Sequence, residues 1–206
     1  MAMKRLSNRL YKRIYLYLIL ICIFLFRIVY VNTHSINETR REYTMGEWIP
    51  LSGDFVNTAD EMTDGYYLRV ESADFFTYKE YMRECGYPEY YFGTDIQSPV
   101  IELKASIRNE NNENGFLAIS KFSLLNETKT ISNTYNPIYA GLKNSTLETA
   151  FGATIRPQTE FTIYLPFTME YGPENRSYLA ENRGKSIYYF IISKYPTRKE
   201  VKIIVE

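Results

Sequence analysis

His34 is the one histidine in the chain, and it stands just past a long apolar run near the N-terminus. A Ser-His-Asp or Cys-His constellation in the rest of the chain is therefore out of reach, because each needs an imidazole to carry the proton. Cys22 and Cys85 are the two cysteines, and Cys22 lies inside the apolar run, so they do not pair within one chain. Zinc sites need several His or Cys ligands, and beyond the run only Cys85 remains. Cys85 reads as a core residue rather than a reactive thiol. Ser-x-x-Lys occurs nowhere, while Ser120-Lys121 and Ser193-Lys194 are adjacent pairs on strand-like stretches, where neighbours point opposite ways. No glycine-rich phosphate loop follows a strand. The expectation is no catalytic residue, no metal site and no cofactor.

Carboxylates are the enzymatic resource that survives, with 22 of the 24 in residues 43–206. A glycosidase needs two of them facing a cleft at a set separation. Scattered surface charge is the structural reading. Asn57, Asp60, Glu61 and Asp64 cluster closely enough to suggest calcium, but without the spacing of a known calcium loop, and read as a solvated loop. Aromatics are the unusual feature, with 20 Tyr and 12 Phe. Tyr87, Tyr90, Tyr91 and Phe92 place four rings in six residues, a candidate platform for a protein or glycan partner. Their structural reading is cover for the edge of the β domain. Trp48, the one tryptophan, reads as core, with a ligand platform as its alternative.

The elements that must carry these residues are mostly strands. Tyr66, Leu68 and Val70 alternate with Tyr67, Arg69 and Glu71, and Ile101, Leu103, Ala105 and Ile107 alternate with polar neighbours. A period of two puts one face in a core and the other in water. Residues 116–125 follow an Asn-Gly turn signal at Gly115, which predicts a hairpin with the strand over 101–107. Residues 161–165 alternate again and are expected to stop at Pro166, while 186–193 is apolar on both faces and suits a central strand. Residues 200–206 supply a last strand. Gly53-Asp54 suits a turn, Gly65 opens a strand, and Tyr195-Pro196 marks a corner.

One helix is predicted over about 77–85. Thr77 and Glu80 make a capping box, Phe76 and Tyr81 a hydrophobic staple, and Gly86 an end signal. Tyr78, Tyr81, Met82 and Cys85 form its buried stripe. Seven or eight short strands plus one helix favour a mainly β fold, an immunoglobulin-like two-sheet β-sandwich, without the Cys…Trp…Cys signature of antibody domains.

Residues 14–31 hold eighteen residues with one charge, Arg27, and no polar face. As a helix they span about 27 Å, close to a hydrocarbon core. Tyr11, Tyr15 and Tyr17 at one end and Tyr30 at the other suit interfacial belts. Five basic residues precede the run and only Arg40 and Arg41 follow closely, which puts the N-terminus in the cytoplasm. A cleaved signal is the rival, but Val29-Tyr30-Val31-Asn32 is bulky where small residues belong, and Ile21 before Cys22 argues against a lipoprotein signal. The organisation expected is a basic N-terminus over 1–13, a transmembrane helix over 14–31, a stalk over 32–42 and an extracytoplasmic domain over 43–206. Six of the 24 basic residues and none of the 24 acidic ones lie in 1–32, so the outer part is mildly acidic. That excludes a basic nucleic-acid footprint. The richness in Asn, Ile, Lys and Tyr points to an AT-rich Gram-positive source; the sequons at Asn37, Asn126, Asn144 and Asn175 matter only in a eukaryote.

Met45-Gly46-Glu47-Trp48, then Leu51 to Phe55, Gly65-Tyr66 and Ser72-Ala73 resemble the opening of a domain family of unknown function. Its members are small, membrane-anchored, extracytoplasmic proteins of Firmicutes. The resemblance continues through Tyr78 to Tyr81 with Gly86, Arg156-Pro157, Leu165-Pro166-Phe167, and Tyr195-Pro196 with Lys199. It implies an immunoglobulin-like sandwich behind one anchor, and it supplies no functional residues. Three functions are compatible with these readings, in this order. The first is a binding or accessory module of the cell envelope, with the membrane and another envelope or membrane protein as partners. The second is an immunity protein against a cationic membrane-active peptide, and the third a wall-active enzyme using two carboxylates.

Overall fold

The computed structural model describes residues 2–34, 39–58, 61–89, 98–113, 116–144, 151–169 and 186–205. The chain divides into two compact units, Met1–Asn37 and Glu38–Glu206. The first unit is helix α1, Ala2–His34. Its Ile14–Val31 stretch is long and apolar enough to cross a membrane, and no part of that stretch is buried against protein. The helix takes in the basic residues from Ala2 on and three residues assigned to the stalk, Asn32 to His34.

The second unit begins earlier than the sequence suggests. Thr39–Thr44 forms strand β1, so Thr39 to Glu42 belong to the β unit rather than to a stalk. Polar strands of this kind show no apolar period because only Tyr43 turns toward the core. The chain continues through β2 (Ile49–Pro50), β3 (Tyr66–Phe76), α2 (Tyr78–Glu84), β4 (Val100–Asn109), β5 (Phe116–Leu117), a 3₁₀ turn (Ile119–Lys121), β6 (Ser123–Asn126) and β7 (Ser132–Tyr135). Then come α3 (Pro137–Lys143), β8 (Ala153–Thr154), β9 (Thr159–Met169), β10 (Ser186–Ile191) and β11 (Thr197–Val205).

The fold is mainly β, as expected, but the strands do not divide into the two sheets of a sandwich. Among the described residues they join in one nine-stranded sheet of order β1-β11-β10-β6-β7-β9-β4-β3-β2, with β5 and β8 as a separate ribbon. Alternation shows which face of a strand is buried but not which strands pair, and β9 hydrogen-bonds to both β4 and β7, joining what would otherwise be two layers. The sheet curls until its edges meet. β1 and β2 occupy opposite edges, yet only residues 45–48 separate them, a reach of at most about 17 Å. Gly46 N–H donates to Val70 O at 2.8 Å across the seam. Lys199 Nζ reaches Pro50 O and the Asp54 carboxylate, both at 2.5 Å, and Asp54 Oδ1 accepts from Thr197 N–H at 2.9 Å. The result is nearly a barrel, with Leu68, Leu103, Ile163, Phe167, Phe190 and Val201 among its fully buried residues.

Two local expectations fail for identifiable reasons. β4 does not form a hairpin with residues 116–125; it pairs with β3 and β9. Side chains of Asn109 and Asn112 redirect the chain: Asn109 Oδ1 accepts from Asn112 N–H at 2.7 Å, and Asn112 Nδ2 donates to Met62 O and Asp64 O. Gly115 lies outside the described residues. β9 does not stop at Pro166 but runs through it. The Pro166 carbonyl accepts from Asn136 N–H at 2.8 Å, so the missing proline N–H would have faced the Asn136 carbonyl, and that carbonyl already accepts from Ala140 of α3. The absent donor has no unmet acceptor opposite it.

Helix α2 forms as its caps dictate. Thr77 and Glu80 make the reciprocal capping box, and Phe76 meets Tyr81 edge-on at 5.7 Å between centroids. Tyr87 N–H returns to Met82 O and Gly86 N–H to Arg83 O, with Gly86 at φ +78°. Alpha-helix α3 was not anticipated; Asn136 caps it and Pro137 occupies its first turn. The two short helices share an aromatic cluster of Tyr78, Tyr81, Met82, Val100 and Tyr139.

Candidate binding site

The segment after β2 is wound around one carboxylate. Glu61 accepts N–H groups of Val56, Asn57 and Thr58 at 3.0–3.3 Å, and Lys121 Nζ lies 2.8 Å from its Oε1. Burial alone would raise the Glu61 pKa, but Lys121 and the three backbone donors hold it below the usual carboxylate value. This carboxylate is thus fully engaged, and Asp64 accepts from Gly53 N–H. No group of three or more His, Cys, Asp or Glu positioned for a metal exists among the described residues. Asp60 lies outside them.

Folding this segment against β5, the 3₁₀ turn and the end of β10 leaves a cavity of about 300 Å³. Leu51, Val56, Leu117, Phe122 and Ile192 supply its apolar wall and the Glu61–Lys121 pair its charged one. Met62 and Phe116, 64% and 49% exposed, also line it. Of its hydroxyls, Thr63 Oγ1 donates to Leu51 O and Ser193 Oγ to Thr197 O. Such a space suits an apolar side chain or small apolar group, with polar anchoring from the rim.

A second cleft, of about 410 Å³, lies beside α2 and α3 and includes Asp74, Phe76, Glu102, Lys143 and Tyr164 in its lining. Asp74 and Glu102 are directly opposed across β3 and β4. Glu102 Oε1 pairs with Lys143 Nζ at 2.7 Å, and the side chains are 4% and 14% exposed. Burial drives the Glu102 carboxyl above its ordinary value, opposed by Lys143 and Tyr81. The rings of Phe76, Tyr81 and Tyr164 surround the Lys143 ammonium at 5.0–5.5 Å from their centroids. Burial likewise lifts the thiol of Cys85, which is partly buried against the α2–α3 cluster, to about 11.

Trp48 is not core. It is half-buried on the outer sheet face, with the Arg69 and Arg108 guanidiniums 4.4 and 4.5 Å from its ring centre. Its neighbour Ile49 takes the buried place, as alternation requires. The aromatic platform fares differently. Tyr87 is half-buried and packs against the α2–α3 cluster. Tyr90, Tyr91 and Phe92 lie outside the described residues. Met62, Phe116 and the Glu102–Lys143 pair went unnoticed in the sequence, and only Glu102 carried a signal, as one outward position among inward-facing aliphatics.

With this geometry in place, a family model described as a domain of unknown function (DUF5028) matches residues 40–199. The chain belongs to the DUF5028 family. The match takes in β1 through the first residues of β11, so the near-barrel is the DUF5028 domain and α1 precedes it. No curated protein matches the chain. Among solved structures, a candidate lipoprotein of Bacillus subtilis, YcdA, is similar at 13% identity with a TM-score of 0.41; the likeness covers 68% of this chain and 36% of that one. The DUF5028 domain brings no assigned activity with it.

Proposed function

We propose that this DUF5028 protein is a membrane-anchored, extracytoplasmic binding or accessory module of a Gram-positive cell envelope, acting through contacts with a protein or glycan partner. The observation that carries the reading is α1. Its Ile14–Val31 stretch exposes Leu, Ile, Phe and Tyr side chains all around, which water does not tolerate on a free helix. The basic residues preceding that stretch favour a cytoplasmic N-terminus and an external β unit. The resemblance to anchored proteins of Firmicutes agrees with it. The apolar cavity with Met62 and Phe116 at its edge is the contact point the reading assigns to a partner.

In this reading the domain binds and does not turn a substrate over. Glu102, opposite Asp74 in the second cleft, is paired with Lys143. A photo-cross-linking residue in place of Met62, in intact cells, tests the proposal. The expected result is one discrete adduct with an envelope component, absent when the cross-linker replaces the exposed Glu113. Equal background at both positions would remove the cavity as the contact point.

A further inference from the structure

Strand β11 alternates strictly. Val201, Ile203 and Val205 enter the core, while Arg198, Glu200, Lys202 and Ile204 take the other face. Parallel pairing with β1 sets Arg40 beside Arg198 and Glu42 beside Glu200, and β10 sets Tyr189 beside Lys202 and Ile187 beside Ile204. Glu200 is fully buried beneath cations. Arg40 contacts its carboxylate, Lys129 Nζ lies 2.7 Å from Oε1, and Arg198 Nε lies 3.2 Å from Oε2 without forming a hydrogen bond. Lys129 also stands 3.8 Å over the Tyr189 ring and Arg40 5.7 Å from its centre.

Three cations on one carboxylate leave an unbalanced positive charge, and Lys202 adds a fourth. Glu42, 3.2 Å from Arg40, offsets part of it. This face is thus basic although the chain beyond residue 32 carries six more acids than bases. The cations extend along the strand for about 13 Å from Arg198 to Lys202, beside the half-buried Tyr189 and the 52% exposed Ile204. A spread of cations with an interfacial ring and an exposed aliphatic matches a plane of headgroups better than one small anion.

We propose that the outer face of β11 and β10 docks on anionic lipid headgroups through Arg40, Lys129, Arg198 and Lys202. The proposal rests on the anchored reading of α1. The test uses the full chain in nanodiscs of phosphatidylcholine, with or without about a third phosphatidylglycerol. A water-soluble acetylating reagent is applied, and mass spectrometry follows Lys129 and Lys202 with Lys79 of α2 as reference. The expected result is acetylation of Lys129 and Lys202 slowed about fivefold or more by phosphatidylglycerol, reversed at high salt, with Lys79 unchanged. Arg198→Gln should weaken the protection of Lys202. If that variant is unstable, Lys202→Gln, which leaves the Glu200 pairs intact, should weaken that of Lys129. Equal rates on both discs would overturn the proposal, as would inorganic phosphate alone giving the same protection on phosphatidylcholine. A chain that enters neither disc contradicts the anchor, and the same labelling with phosphatidylglycerol vesicles then decides the surface separately.

Discussion

At the scale of residues, the buried Glu102–Lys143 pair makes the sharpest demand. Removing one partner leaves the other charge uncompensated at a largely buried position. Lys143→Met should destabilise the fold by about 3–5 kcal/mol, and Glu102→Met with Lys143→Met together by clearly less, as read by denaturant unfolding. The sign with pH follows from the raised Glu102 pKa. Such a carboxyl contributes stability that is present below its unfolded value, about 4.3, and lost as pH rises through the folded one. The Lys143→Met loss should therefore shrink on acidification. Cys85 offers a second check. With its pKa lifted from 9.0 to about 11, its thiolate fraction at pH 8 falls about 100-fold, so in a Cys22→Ser background it should alkylate about that much more slowly than a free thiol. Alkylation at the free-thiol rate would contradict the partly buried placement. The contact of Cys85 with the α2 cluster was legible because it sits on the helical stripe. The place of Trp48 was not, since a lone aromatic between Glu47 and Ile49 has no period to assign its face.

At the scale of elements, local chemistry was readable and pairing was not. The caps of α2 were spelled out in Thr77, Glu80 and Gly86, and the structure makes each contact they imply. Thr77→Ala should cost about 1 kcal/mol, and Gly86→Ala a similar amount because φ is +78° there. Losses near zero in thermal unfolding would mean that the aromatic cluster alone holds the helix. The β3 and β4 alternations were equally clear. The neighbours of β4, by contrast, depend on where the chain returns, and the Asn-Gly signal was outweighed by the side-chain bonds of Asn109 and Asn112. Pro166 misled for a related reason. A proline ends a strand when its missing donor leaves an acceptor unmet, and here the start of α3 already uses that acceptor.

At the scale of the whole molecule, a short connection sets the curl of the sheet in the β unit. Residues 45–48 join strands at opposite edges, so the sheet must curl, and the Lys199–Asp54 pair fastens the seam. Sequence separation alone did not reveal this, because β1 has no apolar pattern to mark it as a strand. The apolar stretch Ile14–Val31, with Arg27 as its one charge, was visible at once, since its length and composition suffice to cross a membrane.

In the proposed topology α1 crosses the membrane and the β unit lies outside. Single cysteines at Ser7 and Ser120, each in a chain with Cys22→Ser and Cys85→Ser, test it through labelling of intact cells by a membrane-impermeant maleimide. The cysteine at 120 is expected to label directly and the one at 7 only after permeabilisation. Labelling in the reverse order, or recovery of the full-length chain in the soluble cytoplasmic fraction, would contradict it.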